Sequence, residues 1–267
     1  MIAAAMNDLF EEIAVESTLE GSLEPSLLWM PPGDAPPEAL VVGLHTWSAD
    51  RFNQREAMLP FCEARGWGLL LPEFRGPNLT SNPRALEAAG GPPARRDVLD
   101  ATRYVLATRF AGRTPARFLV GGSGGAHMAL QVAGREAFRW DAVSSWCPIT
   151  DLAAWQGENP RYRPHIEAVC GGEPGASAGV DARYREKSPL HVARELAAVR
   201  LQLAHGRHDP SVPYTHGWRM AQAIEAFQPA HFYFHLFNGG HEAHLDAAFR
   251  FFEETLRREN TRTGLTG

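Results

Sequence analysis

Six short apolar runs recur along the chain with amphipathic segments between them: EALVVGLH (38–45), WGLLLP (67–72), ARFLVGG (116–122), DAVSSWCP (141–148), VRLQLAHG (199–206) and HFYFHLF (231–237). Each is strand-length, and most lack the polar alternation of a strand with one wet face. They read as central strands buried on both sides. The segments at 53–66, 94–110, 125–138, 215–227 and 242–259 have helical spacing, and Pro60 marks where the first could break. In the second, Val98, Leu99, Thr102, Val105 and Leu106 fall on one face. Strand and helix in repeated alternation predict an α/β fold, with a mostly parallel central sheet covered by helices on both faces. An earlier strand is expected in EPSLLWMPPG (24–33), ended by its prolines.

Two stretches interrupt the alternation. Residues 73–93 are dense in Pro, Gly and Asn and read as a long loop, and 151–189 read as a mixed, lid-like insertion. The 267 residues are 44% hydrophobic, spread evenly enough that 1–267 is expected to form one domain. A net charge of −5 with no clustered basic face argues against a nucleic-acid partner. Cys62, Cys147 and Cys170 are odd in number and lack ligand spacing, so neither disulfides nor a metal site is expected, and no cofactor motif is found. The first 18 residues hold no Lys or Arg and are broken by Asp8, Glu11 and Glu12, unlike a secretory signal. No run reaches the roughly 18 apolar residues of a membrane span. The expectation is a cytoplasmic protein.

The third apolar run leads into FLVGGSGGAHMALQVA (118–133), with Ser123 between two pairs of glycines. Gly121, Ser123 and Gly125 satisfy G-x-S-x-G with a strand before and a helix after, the setting in which this motif exposes a nucleophilic hydroxyl. Small residues are needed two before and two after the serine because strand and helix crowd there. The amino end of the helix, including the Gly124 amide, would face a developing oxyanion.

A serine of this kind needs a base, expected in the order Ser, Asp or Glu, His. Asp209 follows the fifth run in LAHGRHDPSVPYTHG, and His241 follows the sixth in the glycine-opened LFNGGHEAHLD. His244 and His208 are rivals for the base. His244 is expected three residues into the last helix, and His208 to face away from its neighbour Asp209. His127, one turn into the helix after Ser123, is expected to pack. A second oxyanion donor should come from the loop after the first run, where the Trp47 amide is the candidate and Thr46 the next. Trp47 could also wall the pocket or cap the core.

Taken together these motifs resemble the catalytic domain of the prolyl oligopeptidase family of α/β-hydrolases. The resemblance runs through VVGLHTWS, PEFRGPN, RRDVLDATRYV, GGSGGAHMAL, CPITDLAAW, YREKSPLHVA, LAHGRHDPSVPYTHG and GGHEAH in order. It implies Ser123 as nucleophile, Asp209 as acid and His241 as base. HTWS replaces the glycines of the family's usual oxyanion turn, and the chain is too short to include the family's N-terminal propeller.

The expected activity is a cofactor-free serine hydrolase acting on small carboxylic esters through an acyl-enzyme. Short peptides or aminoacyl amides are the alternative substrates, and a catalytically silent binding protein the minor one. Low demands on leaving-group protonation, and the lack of a gating domain, put esters first. Trp155, Tyr162 and Tyr184 of the insertion, with Thr46, are candidates to contact substrate. Oligomeric state is not legible.

Overall fold

The computed structural model describes residues 9–110 and 112–263. Its strands are β1 (Glu11–Glu16), β2 (Leu23–Trp29), β3 (Ala39–Leu44), β4 (Gly68–Pro72), β5 (Ala116–Gly122), β6 (Ala142–Trp146), β7 (Leu201–Gly206) and β8 (Phe232–Phe237). They form one sheet in the order β1-β2-β4-β3-β5-β6-β7-β8. From β4 through β8 in that order every pairing is parallel, while β1 with β2 and β2 with β4 are antiparallel. β1 is an addition to the expected strands. Its Ile13 and Val15 are buried while Glu12, Ala14 and Glu16 alternating with them are exposed, a period of two masked by charge.

The main helices are α1 (Arg55–Glu63), α2 (Pro92–Arg109) and α3 (Gly124–Arg135). The 151–189 segment supplies α4 (Leu152–Glu158), α5 (Arg163–Cys170) and α6 (Ala178–Glu186), and a 3₁₀ turn at Pro189–Val192 leads into α7 (Ala193–Leu196). The chain closes with α8 (Thr215–Glu225) and α9 (Leu245–Thr263). α1 runs through Pro60 unbroken. The helical bond that proline forfeits would end on the Glu56 carbonyl, and both residues are exposed, on the solvent side of the helix.

The strand residues divide between the two faces. Val42, Leu44, Leu119, Val143 and Leu203 pack with α2, α3 and α8, whereas Val41, Leu69, Phe118 and Val120 pack with α1 and α9. Phe118 stacks on Phe252 at 4.6 Å. Each such burial contributes roughly 1.5–3 kcal/mol, which is why the central runs are apolar at successive positions. A third cluster lies beneath the 151–189 segment and includes Trp47, Leu152, Trp155, Ile166 and Val212. α4 starts there because the Asp151 carboxylate caps the amides of Ala153 and Ala154, each at 3.1 Å.

The 73–91 loop is held by charge. Buried Arg75 donates to both oxygens of Asp97 on α2, at 2.7 and 3.0 Å, and to Glu20 and Glu87 at 2.7 Å each. No helix among the described residues is long and apolar enough to cross a membrane.

Candidate active site

β5 is flanked by β3 and β6, and the chain leaves it abruptly at Ser123, whose φ of 57° and ψ of −120° are strained for a residue with a side chain. Two backbone bonds hold that geometry: Ser123 N–H donates to the Trp146 carbonyl at 2.8 Å, and the Ser123 carbonyl accepts from His127 N–H at 2.9 Å. The glycines around it are there for space. A Cβ at Gly121 would overlap the Gly125 backbone, and one at Gly125 would overlap the Leu44 carbonyl.

Ser123 and His241 line one cleft of about 180 Å³, together with Thr46, Gln54, Cys147 and Glu242. His241 reaches it from the loop after β8, which lies against the end of β7: a Cβ at Gly206 would overlap the Gly240 carbonyl. On its other side the ring donates from Nδ1 to Asp209 Oδ2 at 2.7 Å. That tautomer leaves Nε2 as the acceptor. The Asp209 side chain is fully buried, and its Oδ1 accepts from the amides of Ser211 (2.8 Å) and Val212 (2.9 Å). His205 Nε2 lies 3.4 Å from Oδ2 while donating to the Val212 carbonyl at 2.9 Å. Burial alone would raise the Asp209 pKa, yet the facing His205 ring and the hydrogen bonds from His241 and the Val212 amide outweigh it and hold the carboxyl well below the usual range.

The two amides considered in the loop after β3 differ in what they already bond. Thr46 N–H donates to Asn53 Oδ1 at 3.2 Å. The Trp47 amide has no hydrogen-bond partner among the described residues, and it lies so near Gly124 that a Cβ there would overlap it. The Gly124 amide belongs to the first turn of α3, where helical geometry leaves N–H groups unpaired.

The other histidines are engaged elsewhere. His244 lies one residue before α9 rather than within it, stacked on Trp146 at 5.2 Å and against Phe237 at 4.7 Å. Exposed His208 meets Asn238 at 3.0 Å. His127 is buried, with Nε2 on the Lys187 carbonyl at 2.6 Å, and burial takes its pKa down to about 4.

Trp155, Tyr162 and Tyr184 are not among the residues lining the cleft. Trp155 and Tyr184 are buried in the third cluster, Tyr162 stacks on Trp155 at 5.1 Å, and the Tyr184 hydroxyl bonds the Gly172 carbonyl. Their aromatic character serves packing beneath the segment. Gln54, Glu242 and His205, and a place for Cys147 at the site, are not signalled by any motif in the sequence. Cys147 and His205 could have been found by asking what else stands at the carboxyl ends of the central strands.

Cys147, His205 and Asp209 bring ligand-type atoms within 4.8 Å of one another. Each is already committed to hydrogen bonds. The Cys147 thiol contacts the carbonyls of Glu242 and Gly240, and burial pushes its pKa up to about 12, which keeps it a protonated thiol at neutral pH.

A mostly parallel sheet with a strained serine after a central strand, and Asp and His on loops after the last two strands, defines the α/β-hydrolase fold. The sequence matches the prolyl oligopeptidase family over residues 60–256. The chain belongs to that family, whose members are serine hydrolases. Among solved structures it resembles the Pyrococcus horikoshii acylaminoacyl peptidase, at 17% identity and TM-score 0.73, covering 98% of this chain and 43% of that one. It also resembles a puromycin hydrolase, at 18% identity and TM-score 0.73, covering 96% and 39%. Oligopeptidase B from Leishmania major gives 14% identity and TM-score 0.68, covering 93% and 35%. The chain thus spans less than half the length of each. No curated protein matches the sequence.

Proposed function

We propose that the protein is a serine hydrolase that cleaves amide bonds in short peptides or aminoacyl amides, with Ser123, His241 and Asp209 as its triad. The observation that carries this reading is that strained Ser123 shares a cleft with His241, whose far nitrogen is fixed 2.7 Å from buried Asp209. Ser123 Oγ attacks the acyl carbonyl as His241 Nε2 takes its proton. The amides of Gly124 and Trp47 receive the oxyanion, and His241 returns the proton to the leaving nitrogen. Water enters by the same route in reverse and releases the acid. Asp209 stays ionised and stabilises the imidazolium.

The family, with acylaminoacyl peptidase and puromycin hydrolase among the structural relatives, favours amides over the simple esters that the sequence reading put first. Within the domain, the 151–189 segment covers the third hydrophobic cluster in the manner of a fixed cap. The test is kcat/KM on aminoacyl and dipeptidyl arylamides beside short-chain p-nitrophenyl esters, with fluorophosphonate labelling of the same protein. Expected are labelled wild type, measurable arylamide turnover, and neither in Ser123→Ala. Ester turnover without arylamide turnover would restore the esterase reading. An unlabelled wild type would point to a silent binding protein.

A further inference from the structure

Buried Trp155, 1% exposed, touches both loops on which the proposed chemistry depends. Its indole N–H donates to the Ser211 carbonyl at 2.9 Å, and Asn159 Nδ2, one turn further on, donates to the same oxygen at 2.9 Å. The other end of that same peptide unit, the Val212 amide, donates to Asp209 Oδ1 at 2.9 Å, beside the Ser211 amide at 2.8 Å. On its other side the Trp155 ring meets the Trp47 ring edge-on at 4.9 Å, and Trp47 carries the unpaired amide beside Gly124. The peptide unit that aims at the Asp209 carboxylate and the one that offers an oxyanion donor are therefore braced by the same indole.

We propose that Trp155, assisted by Asn159, is a positioning residue that fixes the acid loop and the oxyanion loop relative to each other. The proposal rests on the roles given above to Asp209 and Trp47. A core tryptophan needs only volume, whereas here the N–H is spent on one carbonyl that a second side chain also holds. Two donors on one acceptor limit how far the loop can rotate. A loop that rotated would loosen Asp209 from its two amides and, through it, the tautomer of His241. A shift of Trp47 would withdraw its amide from the oxyanion. Both losses fall on the transition state and spare the ground-state complex.

The experiment compares Trp155→Phe, which keeps a packed ring but loses the N–H, with Asn159→Ala and the double variant. Kinetics are taken on an arylamide and an activated ester, with inhibition by a peptidyl boronic acid and thermal midpoints in parallel. Expected is about a tenfold fall in kcat for Trp155→Phe at nearly constant KM, the size of one hydrogen bond. Boronate affinity should weaken in step. The double variant should lose more than the product of the single losses, because each donor covers for the other. The acid limb of kcat/KM should move to lower pH as Asp209 holds His241⁺ less well. A rise in KM with kcat unchanged would make Trp155 a substrate wall and overturn the proposal, as would a loss of stability with boronate affinity and pH profile unmoved. Should Trp155→Phe fail to fold, Asn159→Ala carries the same readouts. A wild type inert on both substrates removes this proposal together with the proposed function, whereas an active wild type with unaltered variants removes this one alone.

Discussion

Ser123 holds a backbone conformation that few non-glycine residues adopt, and the chain keeps it there with two hydrogen bonds and a wall of glycines. Ser123→Ala should preserve the fold and lower kcat by ~10³ or more, measured on the better substrate with thermal midpoints matched. His241→Ala should cost about as much, while His244→Ala and His208→Ala should keep at least roughly a tenth of wild-type activity, since neither ring meets Asp209. The reverse ranking would move the base. Gly124→Ala tests the oxyanion geometry. Its methyl would overlap the Trp47 backbone, so kcat should drop by about 10² with KM little changed. Because the Asp209 pKa is depressed, its ionisation contributes stability above the carboxylate's unfolded value, and this is lost only as pH falls through the still lower folded value. Asp209 should accordingly stay ionised between pH 5 and 8, and a pH profile of activity over that range should show no inflection from it.

Between elements, His127 ties α3 to the carbonyl of Lys187 beyond α6. Its folded pKa, down to about 4, lies below the ordinary value near 6.5, so the unfolded chain takes up the proton first. Stability should be full above pH 6.5 and fall as pH drops toward 4. His127→Gln, which can keep the bond to Lys187, should flatten that slope in urea titrations; an unchanged slope would assign the acid sensitivity to another group. Elements were readable in the sequence where burial on both faces made runs continuously apolar, as in β3 to β7. β1 was missed because two of its three outward positions are glutamates, and Pro60 misled because an exposed helix face tolerates a missing bond. At the site, the loop positions of Ser123, Asp209 and His241 followed from strand ends. What could not be read were contacts between side chains from distant segments. Asn53 taking the Thr46 amide, His205 beside Asp209 and Trp155 between two loops emerge only after folding.

Across the whole molecule, Arg75 joins the antiparallel edge to the parallel core, gathering Glu20 before β2, Glu87 in the long loop and Asp97 on α2. Arg75→Met would leave Asp97 buried without its partner, a loss of roughly 3–5 kcal/mol. The urea midpoint should fall while kcat on the folded variant stays near wild type, because none of these groups lines the cleft. The same architecture spreads the proposed triad over β5, β7 and β8, so its order in the polypeptide matters during synthesis. The serine leaves the ribosome well before its histidine, with roughly 120 residues between them and a translation rate of about 5–20 residues per second. On that proposal each nascent chain carries, for on the order of ten seconds, a hydroxyl with no base to activate it. On the proposed triad, the last strand would arm the molecule as it joins the sheet, and a chain stalled before it should be inert.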